Sequence, residues 1–198
     1  MKLLLKIILF LAISAISILA QDVKSKRDIA TESVIRIKPA EYSLSPHCPK
    51  MPKQVVRYLE EQNCTISQSY RVKNHHNAFE GEFLREGQHD WVVLCSRNKI
   101  SSILIFPNST PSEVQQIAQI PDNEFIQPID EKGNLGFIRF IDKPNKFLLA
   151  KRHTNSDESI EFTHNGIGTL TLNRKFIVYY FHNDMFIVLD KLFNDIQY

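Results

Sequence analysis

Glycine is scarce in this chain, with six residues in 198, which excludes collagen-like and linker-rich architectures. An excess of one charge is also lacking. The 24 Lys and Arg residues face 22 Asp and Glu, so there is no basic surface of the kind on which nucleic-acid affinity rests. Nucleic acid is therefore not an expected partner. The common catalytic signatures are missing too. There is no Gly-x-Ser-x-Gly elbow, no P-loop and no His-Glu-x-x-His, so the usual hydrolase and nucleotide routes lack their motifs. No cofactor is expected. Beyond the N-terminus no apolar run reaches membrane-spanning length. The longest, Phe176–Phe181, has the length of a buried strand.

What is present begins at the N-terminus. Lys2 and Lys6 flank the start of an apolar run from Leu3 to Ala20, interrupted only by Lys6, Ser14 and Ser17. This reads as a signal peptide over 1–20, cut after Ala20, and predicts a secreted or periplasmic protein. Ile18 is larger than the small residue usual near a cut. The run is also close to the ~20 residues that span hydrocarbon, so a retained N-terminal membrane anchor is the alternative. Removal of Lys2 and Lys6 would leave basic and acidic residues balanced at 22 each. The cluster of Lys24, Lys26 and Arg27 reads as a solvated tail.

Three cysteines follow: Cys48, Cys64 and Cys95. In an oxidising compartment one pair and one leftover thiol are expected. Cys64 follows a predicted helix and Cys95 ends a predicted strand, so Cys64–Cys95 is the preferred bridge. Closing that loop would stabilise by roughly 3–4 kcal/mol in the chain-entropy model. Cys48 lies among prolines in Ser45-Pro46-His47-Cys48-Pro49, free or paired between chains. As a nucleophile beside His47 it would lack a positioned third group.

The chain divides into a signal peptide (1–20), an extended or flexible N-terminal segment (21–51) and one β-rich domain (52–198). Pro52 can open a short helix in which Val55, Val56 and Leu59 share a face, with Asn63 as its stop. Ala78–Phe83, Trp91–Cys95 and Ser102–Phe106 read as a three-stranded antiparallel meander. Thr110-Pro111-Ser112-Glu113 carries a capping box and predicts a second helix, with Val114, Ile117 and Ala118 on its apolar face and Pro121 at its end. Leu135–Ile141, Phe147–Ala150, Leu170–Leu172, Phe176–Phe181 and Met185–Leu189 are strand candidates. The last two are joined by a hairpin at His182-Asn183-Asp184. The expected fold class is mainly β with two short α-helices, built from antiparallel meanders as a propeller-blade-like or sandwich-like small domain.

Glu82-Phe83-Leu84-Arg85-Glu86-Gly87-Gln88-His89-Asp90-Trp91-Val92-Val93-Leu94 resembles the FG-GAP/VCBS repeat of secreted β-propellers, with Glu82, Phe83, Glu86, Gly87 and Asp90 on matching positions. The resemblance implies a calcium loop with Glu82, Glu86 and Asp90 as residual ligands. Leu84 replaces one oxygen ligand and Arg85 adds a cation, a degraded set for an ion that takes about six to eight oxygens. A fainter echo spans Glu161–Leu170, with Asn165-Gly166-Ile167 in place of Asp-Gly-Ile and Thr169 in place of the final Asp. One or two copies do not make a propeller. Cys64-Thr65-Ile66-Ser67-Gln68, Gly81-Glu82-Phe83, Gly87-Gln88-His89-Asp90-Trp91-Val92-Val93-Leu94-Cys95-Ser96 and Ile103-Leu104-Ile105-Phe106 are similar to a set of secreted bacterial proteins without assigned function. This second resemblance implies a small exported β-rich domain with paired Cys64 and Cys95, and no chemistry.

The remaining candidates are weaker. His75 and His76 are the metal suspects, but neighbours on an extended chain point to opposite sides. His47, His89, His153, His164 and His182 scatter over loops. The acid pairs Glu60-Glu61, Asp157-Glu158 and Glu86 with Asp90 could suggest glycosidase carboxylates. Trp91 could be a stacking platform, although a half-buried strand more often packs its Trp inward. Asn63-Cys64-Thr65 and Asn108-Ser109-Thr110 fit the glycosylation pattern. The favoured function is an exported, non-enzymatic β-rich domain that binds a protein or envelope partner. A small exported hydrolase with a site assembled from loops, two or more of His89, Asp90, Glu161 and His164 gathered in one cleft, is the alternative. A calcium-stabilised module is the third reading.

Overall fold

Twelve strands form three antiparallel sheets in the computed structural model, which describes residues 21–23, 26–45, 48–70, 72, 75–153, 160–170 and 175–189. The signal-peptide expectation over Met1–Ala20 lies outside these residues. The first sheet runs in the order β1 (Arg36–Ile37), β2 (Thr65–Ser67), β4 (Asp90–Arg97), β5 (Ile100–Phe106) and β6 (Gln115–Pro121), and β3 (Ala78–Gly81) also pairs with β4. β4 is its spine. Every β4 residue except Arg97 is buried, because both faces of the strand are covered. Val92 and Leu94 face one core with Ile103, Ile105, Phe125 and Phe137. Trp91, Val93 and Cys95 face another with Leu104 and Phe106.

The second core is roofed by two helices. Helix α1 (Pro39–Leu44) buries Tyr42, whose hydroxyl donates to the Ala78 carbonyl at 2.6 Å. Helix α2 (Lys53–Glu61) starts after Pro52 and buries Val55 and Leu59, one turn apart on one face. Burying each contributes roughly 1.5–3 kcal/mol. Asn63 follows in the left-handed region at φ 53°, the usual helix stop. Cys64 then bonds to Cys95 with their Cα atoms 5.5 Å apart, tying the end of α2 to the spine strand. Part of the 21–51 stretch is built into this sheet, since Arg36 pairs with Ser67 and Ile37 with Ile66.

The meander β3–β4–β5 forms as the alternation predicts. Asn98 and Lys99 turn it at φ 52° and 61°, the backbone of a tight hairpin turn. The second sheet has the order β12 (Met185–Leu189), β11 (Phe176–His182), β10 (Ile167–Leu170) and β9 (Ile141–Asp142). Its β11–β12 hairpin turns at Asn183 and Asp184 in the same way. β7 (Ile126–Pro128) and β8 (Leu135–Phe137) make a separate two-stranded sheet. The fold is thus mainly antiparallel β with short helices, as the pattern implies.

Several elements differ from the sequence reading. The candidate strand Leu170–Leu172 is found as β10, which ends at Leu170, and residues 171–172 lie outside the described residues. The capping box at Thr110 yields only one 3-10 turn, Pro111–Glu113, without a side-chain cap bond. Gln115–Pro121 then pairs with β5 as a strand instead of continuing a helix. Phe147–Ala150, expected as a strand, lies in helix α3 (Lys146–His153). Asn145 Oδ1 accepts from the Leu148 N–H at 2.9 Å, a cap that starts the helix. The run Leu135–Ile141 is split between β8 and β9, in different sheets. Between them lies Arg139, fully buried.

Arg139 explains the irregularity of β6. Pairing with β5 slips between Ser101 and Ile103, and Ala118 stands in the left-handed region at φ 53°. A bulge frees carbonyls from the ladder. The Arg139 guanidinium takes them up, donating from Nη1 to the Ser101 carbonyl at 2.8 Å and from Nη2 to that of Ala118 at 2.5 Å. Its Cζ lies 4.7 Å from the Phe125 ring centroid. Burial pushes the Arg139 pKa down to about 10, so the group stays charged at neutral pH.

Candidate functional site

The loop from Glu82 to Asp90 does not gather its acids around an ion. Asp90 is fully buried, and both its oxygens are engaged. Oδ2 accepts from the backbone N–H groups of Phe83 and Leu84, each at 3.0 Å. Oδ1 accepts from Gln88 Nε2 at 2.6 Å and from the Asn108 N–H at 3.0 Å. A carboxylate so surrounded anchors the loop, with Gly87 at φ 76° supplying the turn that L side chains avoid. Glu86 is turned outward and pairs with Lys146 of α3, whose ammonium holds the Glu86 carboxyl below its ordinary range. Glu82 is half-buried, and its carbonyl accepts from the Asn165 N–H at 2.8 Å. Among the described residues no three His, Cys, Asp or Glu side chains are placed to share a metal ion.

The residues expected to converge in a hydrolase cleft take separate roles. His89 is exposed beside Glu80, at 3.1 Å. Glu161 is exposed, whereas His164 is buried. The His164 ring stacks on Tyr180 at 4.3 Å, and its two nitrogens sit 3.0 Å from the carbonyls of Asn165 and Phe181. Trp91 is core, 1 % exposed. His47 and the pair Asp157-Glu158 lie outside the described residues.

A different set of residues comes together where the first and second sheets meet. A cleft of about 440 Å3 has walls that include Val72, Phe79, Phe140 and Ile141, with His75 and Asp142 among its polar groups. The chain reaches it from four directions: the segment after α1, the stretch before β3, β3 itself and β9. Tyr42 lines its inner side and stacks on the His75 ring, centroids 6.4 Å apart. Burial, together with the neighbouring Cys48 thiol, holds the Tyr42 hydroxyl pKa well above the tyrosine range. The half-buried Cys48 is the free cysteine, its thiol 3.6 Å from the His75 carbonyl. His76 is fixed by the Ser69 N–H, which donates to Nε2 at 2.8 Å. Gln68 clasps the backbone of His76 from both sides. Lys143 Nζ donates to the Glu80 carbonyl at 2.8 Å, which holds its stem along the rim.

Of these residues the sequence singled out Cys48, His75 and His76. It passed over Tyr42, Phe140, Asp142 and Lys143. A signal was present in Phe140-Ile141-Asp142-Lys143, where two apolar residues meet two opposite charges, but nothing local says that β3 lies beside it. No helix among the described residues is long and apolar enough to cross a membrane. No known family, curated protein or solved structure matches the chain.

Proposed function

We propose that this chain is an exported binding domain that engages a protein or envelope partner through the cleft between its two larger sheets. The cleft carries the reading. Aromatic and aliphatic walls with a few polar groups at the rim suit the anchor side chain of a partner, because apolar burial supplies affinity and the rim fixes orientation. The Cys64–Cys95 bridge supports an oxidising compartment, and the apolar run from Leu3 to Ala20 supports export. Binding is favoured over hydrolysis because Asp90 and His164 are consumed by backbone partners, while His89 and Glu161 stay outside.

The test is capture from the native envelope with the purified protein as bait, followed by crosslinking from Lys143. Crosslinks to one partner should form, and Val72→Glu or Asp142→Lys should remove them without lowering the melting temperature. Both positions are exposed, so a folded variant is expected. Unchanged crosslinking in both variants would sink the reading.

A further inference from the structure

A second concavity, of about 280 Å3, lies between the end of α2 and strand β6, and it shares no lining residue with the cleft above. Tyr58 and Gln62 stand on its helix side, Gln116 and Gln119 on its strand side, with Ser102 and Arg97 also lining it. The bulge at Ala118 builds this wall. Regular alternation would place residues 116 and 119 on opposite faces. With one extra residue inserted, Gln116 and Gln119 share the groove, while Ile117 and Ile120 pack on the core behind.

The charge is one-sided. Arg97 Nη1 donates to the neutral Gln62 Oε1 at 2.9 Å. No ion pair to Arg97 occurs among the described residues, and no acidic residue lines the groove. A guanidinium in that position suits a carboxylate, which it can bind through two parallel N–H bonds. One cation offsets one negative charge, which favours a carboxylate over a phosphate dianion. The primary amides of Gln62, Gln116 and Gln119 each offer donors and an acceptor, the complement of a peptide N–H and C=O. We propose that this groove binds a carboxylate of a partner peptide, from an acidic side chain or a free C-terminus, with Arg97 as its counter-charge and the glutamines on the adjoining amide groups.

The experiment is an NMR titration of the purified protein with three peptides. Acetyl-Ala-Glu-Ala-amide carries the side-chain carboxylate, acetyl-Ala-Ala-Ala with a free terminus carries the terminal one, and acetyl-Ala-Ala-Ala-amide carries neither. At least one acid peptide should shift the side-chain NH2 signals of Gln62, Gln116 and Gln119 and the Arg97 Nε signal, and the neutral peptide should not. Which acid peptide responds identifies the source of the carboxylate. Arg97 is exposed, so Arg97→Gln should fold normally and weaken binding about tenfold or more. Asp142→Lys, in the other cleft, should leave it unchanged. An equal response to the neutral peptide, tighter binding of inorganic phosphate, silence with both acids at tens of millimolar, or full affinity in Arg97→Gln would each overturn the proposal.

Discussion

Arg139 reaches the carbonyl of Ala118 from 21 residues away, at 2.5 Å, and so fills the bulge of β6. That contact couples a buried cation to the shape of an exposed groove. The same bulge gives β6 a three-residue repeat, Ile117 with Ile120 and Gln116 with Gln119. A three-residue repeat in a sequence reads as helix.

Substitution at Arg139 should destabilise, and substitution of Ala118 by Gly should not. Arg139→Met leaves the Ser101 and Ala118 carbonyls without their donor and should cost about 3 kcal/mol. Ala118→Gly removes the left-handed penalty of about 1–2 kcal/mol against an entropic cost of roughly 0.5–1 kcal/mol, and should be neutral or slightly stabilising. Urea unfolding curves measure both. Equal destabilisation by the two changes would contradict this account of the bulge.

Asp90→Ala should destabilise by about 3 kcal/mol, because it strips the acceptors from three backbone N–H groups and Gln88 at once. Calcium should not substitute for those donors. Thermal scans of the wild-type protein in chelator and in millimolar calcium should superimpose. A rise in melting temperature with calcium, lost in Asp90→Ala, would show that the loop takes the ion after all.

Peptide mapping without reductant should recover Cys64 joined to Cys95 and leave Cys48 as a thiol. Replacing both bridge cysteines by Ser should cost about 2–5 kcal/mol, since their separation of 31 residues closes a long loop in the unfolded chain. Recovery of Cys48 in an intrachain bridge would refute the pairing.

Stability should fall at alkaline pH through two tyrosines. Burial raises the hydroxyl pKa of Tyr42 and of Tyr179 in the folded protein. The unfolded chain therefore releases those protons first, near pH ~10. The contribution is complete below that value and is lost as pH rises toward the folded pKa values. Tyr42→Phe should flatten the fall in denaturant midpoint above pH ~10, while lowering stability at neutral pH through loss of the bond to Ala78. An unchanged alkaline slope in that variant would remove Tyr42 as a cause.

Parts of the fold are legible because their signals are local. Pro52 and Asn63 bracket α2, and Val55 with Leu59 mark its buried face. The alternating and apolar runs of β3, β4, β5, β11 and β12 need only their own composition and the turns at Asn98-Lys99 and Asn183-Asp184. Where signals conflict, the neighbours outvote them. The capping box at Thr110 was outweighed by the open edge of β5, which pairs Gln115–Pro121. Phe147–Ala150 reads as a strand because a short apolar run looks alike in both periods. Asn145 as a cap settles it as helix.

The candidate sites show the same division. The sequence alone determined the class, the spine strand with its flanking hairpin partners and helix α2, and for the cysteines it gave only a preferred pair, which the structure joins. These depend on periodicity and chain stiffness within a few residues. The tertiary structure alone decided that Asp90 anchors its loop through Asn108, that Arg139 shapes β6, and that a cleft and a groove stand where β3 meets β9 and where α2 ends beside β6. Each of those depends on groups brought together from distant parts of the chain. There the cost of burying an unpaired polar group selects the partner, and no local pattern in the sequence records that cost.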